Sequence, residues 1–254
     1  MIEARNLSVR LGRHEAVCDV SVTLKPGELV GFIGPNGAGK TSLLRALLRL
    51  VPAAAGSVYL DGQDITADPP HAHAGRIAYL PQGQNVAWPL TVRRLVALGR
   101  LPHLTSWSDM TAADEATVER ALRETEADGF GERVVTELSG GERSRALLAR
   151  ALAVEAPVLL VDEPTASLDP YHQLTTMEAL RRTAGEGVAV GVVLHDLNLA
   201  GRFCDRLCLM QQGRIVAEGA PDDVLSDANL ASVYRVGVRR DDRGDVVVDH
   251  RLEP

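Results

Sequence analysis

Gly34, Pro35, Asn36, Gly37, Ala38, Gly39, Lys40 and Thr41 form a G-x-x-x-x-G-K-T string, a pattern suited to holding phosphate. Glycines let the backbone close around phosphate oxygens and turn consecutive N–H groups inward, where side chains would obstruct. Lys40 can reach the β- and γ-phosphates of a bound nucleoside triphosphate, and the Thr41 hydroxyl, followed by Ser42, can ligate a magnesium ion. Gln82, Leu138-Ser139-Gly140-Gly141-Glu142, Asp162-Glu163, Ser167-Leu168-Asp169 and His195 follow in that order. The first string says only that a triphosphate is bound. The set bears on what is done with it.

Phosphoryl transfer needs charge neutralisation, an oriented water and in-line geometry more than covalent chemistry. Asp162 ends the apolar run Val158–Val161 and is expected to hold magnesium directly or through water. Glu163, one residue further out and longer in reach, is the better candidate to polarise the attacking water. Two adjacent carboxylates at the end of a buried strand are costly without a cation. His195 ends a second apolar run, Val188–Leu194, and could contact the γ-phosphate and fix both the water and Glu163. Gln82 could approach either magnesium or the water through its amide, an assignment that rests on the whole set. Ser139, Gly140 and Gly141 precede a helical pattern carrying Leu147, Leu148, Ala151 and Leu152. They form either a plain helix cap or a second anion site, and the second reading implies a dimer with shared nucleotides.

Leu29–Ile33 reads as a buried strand before the phosphate loop, and Thr41–Leu50 as a helix apolar on most sides. Continuous apolar runs fit strands buried on both faces of a parallel sheet, with ligands beyond their carboxyl ends. Gly56–Leu60 before Asp61-Gly62, the pair Leu207–Gln211 and Arg214–Glu218 around Gln212-Gly213, and the tail runs 236–240 and 246–250 read as antiparallel. Residues 91–156 read as an inserted helical subdomain, with helices over 91–99, 114–128 and 141–154, and with Gly129 as the stop of the second. The expected fold is α/β: a P-loop NTPase core with a mainly parallel sheet, an antiparallel β subdomain and an inserted α-helical subdomain. One domain spans 1–254, its core made of 1–90 and 157–254.

The 254 residues carry 27 basic and 34 acidic side chains, a net charge of −7, which argues against a general nucleic-acid binder. No apolar stretch approaches the length of a membrane span, and Met1–Asn6 is not a signal region. The expectation is a cytoplasmic protein that meets a membrane only through a partner. Cys18, Cys204 and Cys208 read as buried thiols. His71 and His73 read as loop residues rather than metal ligands, and Arg93, Arg94 and Arg100 as a solvated helix face. Arg243-Gly244-Asp245 reads as a turn.

Taken in order, these motifs resemble, over essentially the whole length, the ATP-binding cassette subunit of an ABC transporter; Leu-Ser-Gly-Gly is the specific element. The resemblance makes Gly34–Thr41 with Ser42 the Walker A loop, Gln82 the Q-loop glutamine, and Ser139–Glu142 the signature. Asp162 and Glu163 become the Walker B pair, Asp169 a D-loop residue and His195 the switch histidine. It implies ATP and Mg2+, and head-to-tail homodimers that sandwich each ATP between one chain's Walker A and the other's signature. Leu11 stands where an aromatic ring is expected to stack on adenine, so aliphatic packing or the guanidinium of Arg10 or Arg13 would replace stacking.

Residues 89–103 and His195–Ala200, with Cys204–Arg206, are similar to the importer branch serving iron–siderophore, haem and cobalamin uptake. That similarity implies membrane permease subunits as partners, placed on the inner face of the cell membrane, and a substrate-binding protein indirectly. A soluble relative in DNA repair or translation is the alternative, but it would need a long coiled coil or two cassettes. A noncatalytic cassette is disfavoured by intact Glu163 and His195.

Overall fold

The computed structural model describes residues 1–83, 86–104, 109–166, 168–242 and 244–252. Ser167 of the Ser-Leu-Asp motif and Arg243 of the expected turn lie outside them. Two long strands come first, β1 (Ile2–Leu11) and β2 (His14–Leu24), paired antiparallel. The sequence reading gave these residues no element, although Val20, Val22 and Leu24 are buried between exposed or half-buried neighbours in a period-2 pattern. Then come β3 (Leu29–Ile33), α1 (Lys40–Leu47), β4 (Ala55–Leu60), β5 (Gln63–Asp64) and β6 (Ile77–Leu80). Helices α2 (Val92–Ala97), α3 (Ala112–Glu124) and α4 (Gly140–Leu152) follow, with 3-10 turns between them. The remainder alternates: β7 (Val158–Asp162), α5 (Pro170–Gly185), β8 (Ala189–Val193), α6 (Leu197–Phe203), β9 (Arg206–Gln211) and β10 (Arg214–Gly219). Short α7 (Pro221–Val224) and α8 (Asp227–Tyr234) lead to β11 (Val236–Arg240) and β12 (Val246–Arg251).

The principal sheet has the order β10-β9-β3-β8-β7-β6. Five of its strands run parallel and β10 pairs antiparallel at the edge. A second, antiparallel sheet has the order β2-β1-β4-β5, and β11 pairs with β12. The expected α/β class with a mainly parallel core and separate antiparallel strands is therefore realised. Every residue of β3, β7 and β8 is buried, as continuous apolar runs require. Alternation still divides them: Leu29, Ile33, Leu159, Val161, Val190 and Val192 join the core of Met177, Leu180 and Leu147. Val30, Phe32, Leu160 and Val193 face Leu43, Leu44 and Leu47 of α1 and Val58 and Leu60 of the antiparallel sheet. The principal sheet is thus covered on both sides, each fully buried side chain of Leu or Phe size contributing about 2–3 kcal/mol.

Several boundaries differ from expectation. Helix α1 stops at Leu47, Arg49 turns left-handed at φ 61°, and Leu50 is half exposed, so the apolar run outlasts the helix. The helix expected over 91–99 is α2 plus a 3-10 helix, Leu98–His103, which contains Pro102. Helix α3 starts earlier than expected because the Thr111 hydroxyl accepts the Asp114 N–H while the Asp114 carboxylate accepts the Thr111 N–H. It ends at Glu124 rather than at Gly129, with Glu126 supplying the left-handed turn at φ 52°; Gly129 lies in the 3-10 turn Asp128–Phe130. His71 and His73 fall in a 3-10 turn, where His73 is buried against Asp68 at 3.0 Å. All three cysteines are buried, and burial pushes the Cys204 thiol up to about 12. Among the described residues, no helix is long and apolar enough to cross a membrane.

Arg100 overturns the expectation of a solvated face. It is 8% exposed, donating to Asp114 Oδ1 at 2.9 Å, Glu155 Oε2 at 2.7 Å and the Ala153 carbonyl at 2.9 Å. It therefore fastens α2's extension to α3 and to the end of α4. Removing one member of a buried charged set leaves the others desolvated and unpaired. Arg100→Met is expected to cost about 3 kcal/mol, read as a lower urea midpoint. An unchanged midpoint would show the set to be energetically idle.

Candidate functional site

Because β3, β7 and β8 run parallel and adjacent, their carboxyl ends share one edge, and the chain leaving each carries a candidate residue there. After β3 comes the phosphate loop, after β7 the Glu163 turn, after β8 His195; β6 adds Gln82. A cleft of about 500 Å³ opens there, lined by Asn36–Ser42, Gln82, Glu163 and His195, with Leu11, His14 and Ala16 across from them. The loop's shape demands glycine. Gly34 sits at φ 144° and Gly39 at φ 102°; a Cβ on either would come within 2.2 Å of a carbonyl oxygen, of Met210 and Ala16 respectively. Gly39 also precedes the first turn of α1, whose free N–H groups face the cleft end of the helix.

Lys40 is 5% exposed and folded back on its own loop, its Nζ donating to the carbonyls of Gly34 at 2.7 Å and Pro35 at 3.0 Å. Burial lowers its pKa below the ordinary lysine value, opposed by the nearby carboxylates of Glu163 and Asp162. Those carbonyl bonds are what a phosphate would exchange for charged ones.

Asp162, the last residue of β7, is 1% exposed. Its Oδ1 accepts the Thr41 hydroxyl at 3.1 Å, while its Oδ2 is buried without a hydrogen-bond partner. Burial raises its pKa, helped by the neighbouring Glu163 charge and opposed by Thr41, Arg45 and Lys40. A buried carboxylate oxygen without a donor is suited to a cation. Together with the Thr41 hydroxyl it forms the hard oxygen set that suits magnesium.

Glu163 occupies the left-handed region at φ 52°, a conformation that costs a non-glycine residue about 1–3 kcal/mol. The turn aims its carboxylate between two partners. Gln82 Nε2 donates to Oε2 at 2.5 Å, and His195 Nε2 lies 2.6 Å from Oε1, donating as an N–H. Gln82 thus stands beside Glu163 through its amide N–H. Such an arrangement can orient a water and accept its proton.

Ser139, Gly140, Gly141 and Asp169 do not line this cleft. Ser139 caps α4: its hydroxyl accepts the Glu142 N–H at 3.3 Å, and Glu142 Oε2 accepts the Ser139 N–H at 2.9 Å. These bonds, with Arg133, hold the Glu142 carboxyl down at about 2. Within one chain the capped-helix reading of Ser139, Gly140 and Gly141 is thus realised. Gly140 instead borders a second cleft of about 310 Å³, which reaches Asp162, Glu163 and Gln82 from the other side. Asp169 caps α5, accepting the His172 N–H at 3.0 Å and facing His172 Nδ1 at 2.6 Å. Leu11 is 47% exposed at the cleft mouth. His14 and Ala16 were not anticipated there, although the pairing of Leu11 with His14 across the β1–β2 turn carries them to the same rim.

Comparison with known proteins agrees with this geometry. A family profile described as ABC transporter matches residues 17–166. The chain is 43% identical over 243 residues to the hemin import ATP-binding protein of Pseudomonas entomophila, covering 94% of each. It is 45% identical over 243 residues to the cobalamin import ATP-binding protein of Halobacterium salinarum, covering 94% of this chain but only 61% of that protein. It superimposes with a TM-score of 0.78 and 27% identity on a dimeric ATP-binding cassette in a post-hydrolysis state bound to ADP and Pi, covering 87% of this chain and 99% of that one. This chain belongs to the ABC transporter family.

Proposed function

We propose that the chain is the ATP-hydrolysing subunit of an ABC importer and that it works as a homodimer on separate membrane permease subunits. The observation that carries this reading is the arrangement around Glu163, which one strand end and two flanking loops aim at the phosphate loop. Residues 34–42 hold the triphosphate: Lys40 releases its carbonyl partners for the β- and γ-phosphates, and the α1 N-terminus faces the anion. Asp162, Thr41 and Gln82 are the residues that would hold Mg2+, which, when bound, neutralises phosphate charge. Glu163 accepts the proton of the attacking water. His195 fixes the Glu163 carboxylate and contacts the γ-phosphate, while Gln82 holds the other carboxylate oxygen. Closing the cleft by a second copy excludes bulk water and strengthens each of these interactions.

The signature residues Ser139, Gly140 and Gly141, with Asp169, serve the nucleotide of the other copy. Support comes from the positions of these residues outside the lining of their own chain's phosphate-loop cleft, and from the similarity to a dimeric cassette with ADP and Pi. We also infer one cassette domain, with 91–156 as the helical insert that, with the segment after Gln82, meets the permease. Cargo of the tetrapyrrole kind is supported by relatives named for hemin and cobalamin; the relatives cited above give iron–siderophore no support. A substrate-binding protein would act indirectly, on the far side of the permease.

Phosphate release from ATP by the purified chain tests the reading. Turnover is expected with Mg2+ and is expected to vanish on chelation with EDTA. Metal-independent turnover would remove Asp162 from its role, and no turnover in the presence of permease and Mg2+ would remove the function.

A further inference from the structure

His195 is 45% exposed, so packing alone does not hold its imidazole against Glu163. The backbone around it must. Asp196 Oδ1 accepts the N–H groups of Asn198 at 2.9 Å and Leu199 at 3.0 Å, closing a tight cap at the start of α6. Asn198 then reaches across to the chain's tail. Its Oδ1 accepts the Val246 N–H at 2.7 Å and its Nδ2 donates to the Val246 carbonyl at 3.2 Å. One side-chain amide thus satisfies both backbone groups of the first residue of β12, as an adjacent strand would.

That tail is itself anchored. Val246 is 7% exposed and shares a core with Val224, Leu225, Leu230 and Val233. Arg240 Nη2 donates to the Leu225 carbonyl at 2.5 Å, and the Leu252 N–H donates to the Arg235 carbonyl at 2.9 Å, closing the hairpin onto α8. Helix α8 ends at Tyr234, whose hydroxyl is buried without a hydrogen bond. Burial pushes this phenol up to about 12. The tail therefore reaches α6 at Asn198, three residues beyond His195.

We propose that the β11–β12 hairpin, acting through Asn198, is a positioning element for His195. Asn198 is a positioning residue: it lies outside the lining of both clefts, but fixes the loop that delivers the imidazole to Glu163. This rests on the reading that Glu163 and His195 serve hydrolysis. A purely structural staple would behave differently. Its loss would lower stability while leaving turnover per folded molecule and the affinity for ATP as they were.

The test compares kcat and KM for ATP in the full chain, Asn198→Ala and Asn198→Asp, with backbone hydrogen exchange followed over residues 194–200. Asn198→Ala loses both bonds to Val246, so kcat is expected to fall about fivefold to tenfold with KM within about twofold. Exchange over 194–200 should quicken while residues 34–41 keep their protection. Asn198→Asp keeps the acceptor for the Val246 N–H and loses the donor, and should fall between. Wild-type kcat in Asn198→Ala overturns the proposal while leaving the hydrolytic reading intact. A lower kcat matched by an equal loss of folded protein overturns it as well. A wild-type chain without hydrolysis removes the reading beneath it, and the proposal with it.

Discussion

Glu163→Gln is expected to slow ATP hydrolysis about 10²- to 10⁴-fold, the usual contribution of a positioned general base. The substitution preserves side-chain length and the left-handed turn at φ 52°. It removes the charge that accepts a proton, and it also disturbs orientation. Both carboxylate oxygens currently accept, one from Gln82 Nε2 and one from His195 Nε2. An amide offers one acceptor and one donor, so one of these contacts must break or, for His195, reverse direction by a switch of tautomer. Binding should survive, since the phosphate loop and Lys40 are untouched. Single-turnover phosphate release separates the two: a wild-type hydrolytic rate would dismiss Glu163 as the base, whatever the steady-state rate.

Lys40→Ala is expected to weaken ATP binding about 10- to 100-fold, from the 1.5–3 kcal/mol ordinarily carried by hydrogen bonds to charged groups. Lys40 is buried, and burial lowers its pKa even without nucleotide. Its recorded partners are neutral carbonyls, which offset that cost poorly. A triphosphate supplies the opposite charge the ammonium lacks, so the gain on binding is larger than for an exposed lysine. Fluorescent-nucleotide titration measures the effect. Affinity within about twofold of wild type would mean that backbone N–H groups alone hold the phosphates.

Much of the site was legible because its residues lie at the ends of strands whose apolar runs are unmistakable. Val158–Val161 and Val188–Leu194 are buried along their strand cores, and parallel pairing with Leu29–Ile33 then brings Glu163, His195 and the phosphate loop to one edge. The antiparallel strands β1 and β2 were harder, because their half-buried alternation is diluted by Asn6, Asp19 and other polar residues inside them. Helix limits followed local caps rather than glycines: the Thr111–Asp114 exchange moved the start of α3, and Glu126 replaced Gly129 at its end. Arg100 looked solvated because its partners, Asp114, Ala153 and Glu155, are 14, 53 and 55 residues away. The left-handed turn at Glu163 has no mark in composition at all. Nor does the reach of Asn198 to Val246, a contact that exists only once the tail has folded back.

Ser139 shows the limit of a single chain. Its capping bonds to Glu142 explain the serine and the acidic residue fully, yet leave the glycine-rich helix start free to meet a second copy's nucleotide. Sedimentation velocity on Glu163→Gln, with and without MgATP, addresses this most directly, because blocked hydrolysis holds the ATP-bound state. The shared-site account predicts a monomer that becomes a dimer with nucleotide and returns to a monomer when Ser139→Arg is added. A Glu163→Gln protein that stays monomeric at saturating MgATP would contradict it.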